Sequence, residues 1–288
     1  MKKLKFKKDV AHASLRDERS RLLYHQNPFS VQEAYRSART NLMFLPQQTE
    51  GRGQILVITS ANMGEGKSTS CANLSIVLAQ NGKRVLLIDC DMRSPKQNKL
   101  MDYPQSPGLS EYLAGIESTL TVRRNECVDT LDVVTAGSTP PNPAELLSSP
   151  KMQKLLAGVS QEYDYIMLDT PPINLVADAL VVKAQVDGYV LIVRADHTNR
   201  TELDHALLRL QQVEAHVFGF VLNDVNPKSG KYGKYGKYGR YGRYGKYGKY
   251  GEYGKYGEYG AYGNYDANVY GDQTHDTFRM TTVQSHAD

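Results

Sequence analysis

Between residues 54 and 223 the chain alternates short, almost uninterrupted apolar runs with stretches of helical length, and no other feature restricts its fold as much. The apolar runs lie at 55–59, 85–88, 131–134, 165–168, 189–193 and 217–222; helical candidates at about 67–81, 144–159, 176–186 and 199–214 fall between them. A strand with no polar face has to be covered on both sides, and a helix returning between strands supplies that cover. The pattern predicts an α/β domain with a mostly parallel sheet and helices on both faces. In such sheets ligands bind beyond the carboxyl ends of the strands, so residues there carry the first clues to function.

The flanking regions read differently. Residues 1–28 are polar, lack periodicity and begin MKKLKFKK, and are expected to form a flexible basic segment. No apolar stretch follows that start, as a secretory signal would require, and no run nears the ~20 apolar residues of a membrane span. Residues 29–45 (FSVQEAYRSARTNLMFL) have a helical pattern, with Ser30 as the N-cap and Ala34, Ala38 and Leu42 on one face. Beyond Pro227 twelve tyrosines recur at every third position: Tyr232, Tyr235, Tyr238, Tyr241, Tyr244, Tyr247, Tyr250, Tyr253, Tyr256, Tyr259, Tyr262 and Tyr265. Eleven of these are followed directly by Gly, and Tyr270 makes a thirteenth tail tyrosine. A period of three fits neither helix nor strand, Gly in each unit weakens any helix, and the tail has no Pro to support a collagen-like form. Residues 228–288 are therefore expected to be disordered, which leaves 29–227 as the folded domain.

Charge divides along the same boundary. The tail holds 10 basic and 6 acidic residues and so carries the whole net charge of +4, while residues 1–227 hold 25 of each sign. A neutral body offers no basic face to nucleic acid. The basic, aromatic tail is interrupted by Glu252 and Glu258, so no nucleic-acid partner is expected. Cys71, Cys90 and Cys127 have no metal-ligand spacing and cannot all pair, as in reduced cytoplasmic proteins.

Three strand ends carry chemistry. After the first run comes Ser60-Ala61-Asn62-Met63-Gly64-Glu65-Gly66-Lys67-Ser68-Thr69, a P-loop with Ala61 where the usual pattern has its first Gly. Gly64 and Gly66 let backbone N–H groups turn toward phosphate oxygens, and the helix that follows adds its positive end. Lys67 is expected to reach the β- and γ-phosphates of ATP or GTP, and the Ser68 hydroxyl to take a Mg²⁺ ion. The second run ends in Asp89 and Asp91, which point the same way from an extended segment. Two carboxylates beside a Mg-nucleotide can share metal binding and proton acceptance. The third, Tyr165-Ile166-Met167-Leu168-Asp169-Thr170-Pro171-Pro172, ends in an acid of the Walker B kind.

This P-loop, the strand ending Asp-x-Asp-x-Arg and the strand ending Asp-Thr-Pro-Pro resemble the MinD/ParA-like P-loop ATPases. More narrowly they resemble the bacterial tyrosine kinases (BY-kinases) of capsule and exopolysaccharide synthesis. The similarity runs from about Asn27 to Asn223, includes Pro141-Asn142-Pro143-Ala144-Glu145-Leu146-Leu147, and is completed by the tyrosine-rich tail. MinD and ParA carry a signature lysine five positions before the invariant one; that position here is Asn62, which favours the kinases. Glu33, Arg36 and Arg39 match the Glu-x-x-Arg-x-x-Arg motif through which BY-kinases form rings, and Asn223 resembles a residue that contacts the base.

The resemblance implies a Rossmann-like P-loop domain that moves the γ-phosphoryl group of ATP to tail tyrosines, in trans within a homo-oligomeric ring. It implies Mg²⁺ held by Ser68, Asp91 and Asp169, with Asp89 as the base at the tyrosine hydroxyl. Expected partners are a membrane activator acting in trans and a phosphotyrosine phosphatase. The protein is expected to be cytoplasmic and recruited to the inner face of the membrane. Competing readings are a MinD/ParA-like ATPase acting as a positioning or assembly switch, and an interaction protein whose Gly-Tyr tail self-associates.

Overall fold

The computed structural model describes residues 19–24, 27–46 and 51–225, together with the backbone of Arg279–Thr282. The thirteen tail tyrosines expected to accept phosphate lie outside the described residues. In chain order the elements are α1 (Phe29–Met43), β1 (Gln54–Ser60), α2 (Lys67–Ala79), β2 (Val85–Asp89), α3 (Gln97–Leu100), α4 (Leu109–Leu113), β3 (Arg123–Arg124) and β4 (Leu131–Val134). They continue as α5 (Pro143–Leu147), α6 (Pro150–Val159), β5 (Tyr165–Asp169), α7 (Asp178–Val181), β6 (Gly188–Arg194), α8 (Arg200–Gln212), β7 (Val217–Asn223) and β8 (Arg279–Thr282). One sheet holds all the strands in the order β3-β4-β2-β5-β1-β6-β7-β8, and every pair is parallel except β3 with β4. β1 is central, and the chain leaves it for β2 on one side before returning through β6 to the other, so the loop after β1 stands at the switch in strand order.

The period of two in the strands sorts their side chains into two cores. Leu56 and Ile58 of β1, Leu87 of β2 and Met167 of β5 join one core, while Ile55, Val57, Leu86 and Ile166 join the other. The first core is closed by α1 and α2, the second by α5, α6 and α8. Helix α2 is buried on every side but Thr69, because α1 lies over it and the sheet lies under it. That position accounts for its apolar sequence and lack of a polar stripe.

Several details depart from the sequence reading. α1 starts at Phe29, as the expected span does, but its N-cap is Pro28, two residues before Ser30, which falls in the first turn. Its buried face is Val31, Tyr35, Ala38 and Leu42, and Ala34 sits at the edge of that face. Residues 19–24, inside the span expected to be flexible, are packed: Leu22 and Leu23 enter the first core, and the Asn73 side chain accepts from Leu23 N and donates to Arg21 O. The expected helix 144–159 is two helices, because Ser149 caps a new start at Met152 N and Pro150 fits the first helical turn. The span 176–186 holds only the single turn α7 and a short 3₁₀ turn at Lys183–Gln185.

Candidate active site

Two positive-φ glycines shape the loop after β1. Gly64 (φ +80°) and Gly66 (φ +83°) adopt the left-handed region that other residues avoid. A Cβ on Gly66 would also stand 2.2 Å from the Asn223 amide nitrogen, so the packing as well as the backbone requires glycine. The loop is braced at three points. Asn223 Nδ2 donates to Glu65 O (3.1 Å), Arg194 Nη1 donates to Gly64 O (3.2 Å), and Glu65 accepts from Asn62 N and from the Thr198 hydroxyl. Asn223, expected at a base, thus holds the P-loop from below.

The three acids converge beneath this loop but do not play one part. Lys67 Nζ lies 2.8 Å from Asp91 Oδ2, 3.4 Å from Asp169 Oδ1 and 3.2 Å from Ser68 Oγ. Burial works to lower the Lys67 pKa, yet Asp169 and Asp91 outweigh it and hold the ammonium above its ordinary value. Asp89 is fully buried and accepts from the backbone N–H groups of Asp91, Lys96 and Gln97. Burial first, and then the charge of Asp169, push its carboxyl up to about 8. Asp91 lines the cleft and Asp89 lies under it, a ranking that alternation along an extended segment does not show.

The cleft above them has a volume of about 520 Å³. Met63, Gly64, Gly66, Lys67, Ser68 and Thr69 form its floor, Pro171 and Pro172 one wall, and Arg21, Arg93 and Lys96 are cations on its lining. Asp-Thr-Pro-Pro is laid along β1 by Thr170 N to Ile58 O, Ile173 N to Ser60 O and the Thr59 hydroxyl to Pro171 O. Arg93 is held by a bidentate pair to Asp178 at 2.8 and 3.1 Å. Arg21 and Lys96 were missed by the sequence reading, since neither belongs to a motif; tertiary packing alone brings them here. Gln97 was missed too. It is buried, and its amide donates to Asp169 Oδ2 (2.8 Å) and Ser68 O (3.0 Å).

The proposed ring motif is far from uniform. Glu33 and Arg36 pair with each other within α1 on its exposed face, whereas Arg39 turns back toward α2 and donates to Val77 O (3.4 Å). Among the described residues no helix is long and apolar enough to cross a membrane.

The AAA domain family model matches residues 53–217. Tyrosine-protein kinase YwqD of Bacillus subtilis is 39% identical over 191 residues, which is 66% of this chain and 80% of that one. Tyrosine-protein kinase Wzc of Salmonella typhi is 36% identical over 211 residues, 73% of this chain but only 29% of Wzc. Among solved structures, the kinase domain of the Escherichia coli tyrosine kinase ETK superposes with a TM-score of 0.65 at 36% identity, covering 69% of this chain and 77% of that one. The cell division ATPase MinD of Pyrococcus furiosus shares the fold alone, with a TM-score of 0.53 at 23% identity over 62% of this chain and 74% of its own. With this P-loop, these strand-end acids and these relatives, the chain belongs to the bacterial tyrosine kinase family.

Proposed function

We propose that the protein is an ATP-dependent protein-tyrosine autokinase whose substrate is its own tyrosine-rich tail and which serves capsular or exopolysaccharide production. The carrying observation is the cleft itself: a glycine loop, Lys67 and strand-end acids under a rim of cations, beside the end of β7. Asn223 closes β7 and touches the P-loop, two residues before the last described residue of this span, Val225.

The donor set suits a divalent cation. Asp89, Asp91 and Asp169 face a single ammonium, an excess of buried negative charge that Mg²⁺ would offset, and the available donors are hard oxygens. Among the described residues no three acidic, His or Cys side chains could hold a metal by themselves. Ser68, Asp91 and Asp169 would therefore hold Mg²⁺ jointly with nucleotide phosphates, as this ion usually requires. Bound there, it would neutralise charge on the transferring phosphoryl group. Lys67 binds phosphate, and Asn62 to Thr69 cradle it. Asp89 accepts the tyrosine proton in this reading; because it lies beneath the cleft, the hydroxyl would reach it only once the Lys96–Gln97 backbone that covers it gives way.

A ring built through Glu33, Arg36 and Arg39 would present each tail to a neighbour's cleft. Recruitment to the membrane through an activator, and reversal by a phosphatase, follow from the family resemblance. The deciding experiment is incubation with ATP and Mg²⁺ followed by phosphosite mapping of wild type and Asp169→Asn. Phosphate on the tail tyrosines of wild type and none on the variant is the expected result. ADP release with no protein-bound phosphate would instead favour the MinD/ParA-like switch.

A further inference from the structure

Gln97 is the residue through which the other parts of the cleft are joined. It opens α3, is fully buried, and makes contacts with three members of the proposed site. Its backbone N–H donates to Asp89 Oδ2 (3.0 Å), and its side-chain Nε2 donates to Asp169 Oδ2 (2.8 Å) and to Ser68 O (3.0 Å). The opposite amide orientation would set Oε1 against a carboxylate oxygen and a carbonyl oxygen, acceptor against acceptor, so Nε2 must face them. Asp169 is thereby divided: Oδ2 is tied to Gln97, and Oδ1 is turned toward Lys67 at 3.4 Å. The remaining atom, Oε1, is buried and has no partner among the described residues. A buried amide oxygen left without a hydrogen bond is costly, and one at a polar site points to a function.

We propose that Gln97 is a positioning residue for cation binding: it fixes which oxygen of Asp169 is offered to Mg²⁺ and keeps Oε1 ready to accept a hydrogen bond from a water bound to that ion. This rests on the reading of the cleft as a Mg-nucleotide site. Residues that orient metal-binding carboxylates from behind typically govern about 10–100-fold of metal affinity, without contacting the ligand itself. Metal-free nucleotide should depend little on Gln97, because its side chain meets the P-loop only at the Ser68 carbonyl and none of the N–H groups that face phosphate is its partner.

The test is calorimetric binding of ADP to the full chain, in EDTA and across a Mg²⁺ titration, for wild type, Gln97→Met and Gln97→Glu. Methionine keeps the volume without either hydrogen-bonding group; glutamate keeps the shape but sets a second acid against Asp169. Both variants are expected to bind ADP in EDTA within about threefold of wild type and to need at least about tenfold more Mg²⁺ for half-maximal enhancement, with saturating Mg²⁺ restoring affinity. Unchanged Mg²⁺ dependence in both would overturn the proposal. Equal losses with and without Mg²⁺ would also overturn it, since they would mark Gln97 as merely structural. If wild type itself binds no ADP, the nucleotide reading fails instead.

Discussion

Lys67 illustrates how a side chain recruited for a ligand becomes part of the fold. It is nine-tenths buried and stands between Asp91 and Asp169, so its removal leaves acids buried without their counter-ion. Breaking a buried pair in this way typically costs about 3–5 kcal/mol. Lys67→Met is therefore expected to lose nucleotide binding and also to unfold at lower denaturant, with Mg²⁺ recovering part of the stability. Equal denaturation midpoints for variant and wild type would refute that. Asp169→Asn removes a charge from an acid-rich cluster but sets an NH₂ against Lys67 or Gln97, so it should cost less stability than Lys67→Met, which makes it the better inactive chain. Asp89 carries a double burden. Asp89→Asn is expected to reduce phosphoryl transfer by at least about 100-fold while ADP still binds. It should also lower stability, because an amide NH₂ would meet the N–H groups of Asp91, Lys96 or Gln97. Loss of ADP binding in a folded Asp89→Asn protein would transfer the proton-acceptor role to Asp91.

Elements are held to one another by a few buried polar knots, and Glu111 is the clearest. At the start of α4 it accepts from the Ser106 hydroxyl, Gly108 N, the Ser110 hydroxyl and Ser138 N, joining the loops that follow α3 and β4. Burial works to raise its pKa, but the hydrogen bonds from Ser106, Ser138 and Gly108 prevail and hold it at about 2. The carboxylate is thus favoured in the folded state, and its contribution is complete above its ordinary range and lost as pH falls from about 4.5 to about 2. Glu111→Gln should cost about 1–3 kcal/mol near neutral pH. The gap from wild type should close across that acid window, which urea titrations at several pH values would reveal. Helix α1 makes the opposite case. The Glu33–Arg36 pair is exposed and adds little stability, so a Glu33→Ala, Arg36→Ala double variant should keep its midpoint within about 0.5 kcal/mol. If these residues build the ring, sedimentation of that variant will show a smaller particle; an unaltered particle would remove them from the interface.

At the level of the whole molecule the question is whose tail enters whose cleft. If residues 228–288 were as flexible as their composition predicts, their r.m.s. span would be roughly 45 Å, enough for their own site or a neighbour's. Mixing an Asp169→Asn chain that keeps its tail with an active chain ending at Asn226 separates the two cases. Label on the inactive chain is expected; its absence would make the reaction intramolecular. Charge then suggests what the product does. The tail starts at +4, and each phosphate adds about −1.5 to −2, so two nearly neutralise it and about three reverse its sign. A tail so modified loses its attraction to a cleft built on Asp89, Asp91 and Asp169. Multiple phosphorylation should therefore loosen the assembly in a graded way, with single Tyr→Phe changes mattering little. Identical sedimentation of both forms at low salt would exclude such a switch.

Local pattern alone was enough to specify the parallel sheet, the six main strands to within a residue or two, and the positions of the P-loop and the three strand-end acids. Each of these is written locally: short apolar runs alternating with helical stretches read as strands buried on both faces, and glycines and acids at strand ends stand where such sheets bind ligands. Tertiary structure decided what local spacing cannot carry. Leu22 and Leu23 are anchored because Asn73, about fifty residues away, meets the backbone of Leu23 and Arg21 on either side of Leu22. Arg21, Lys96 and Gln97 reach the site only through packing across the sheet edge. Asp89 and Asp91 look equivalent along the strand, yet the loop that follows them folds the Lys96 and Gln97 amides onto the first and only that of Ser94 onto the second, which faces the cleft. Period-two alternation states which way a side chain leaves the strand; which groups it then meets depends on where distant segments of the chain come to rest.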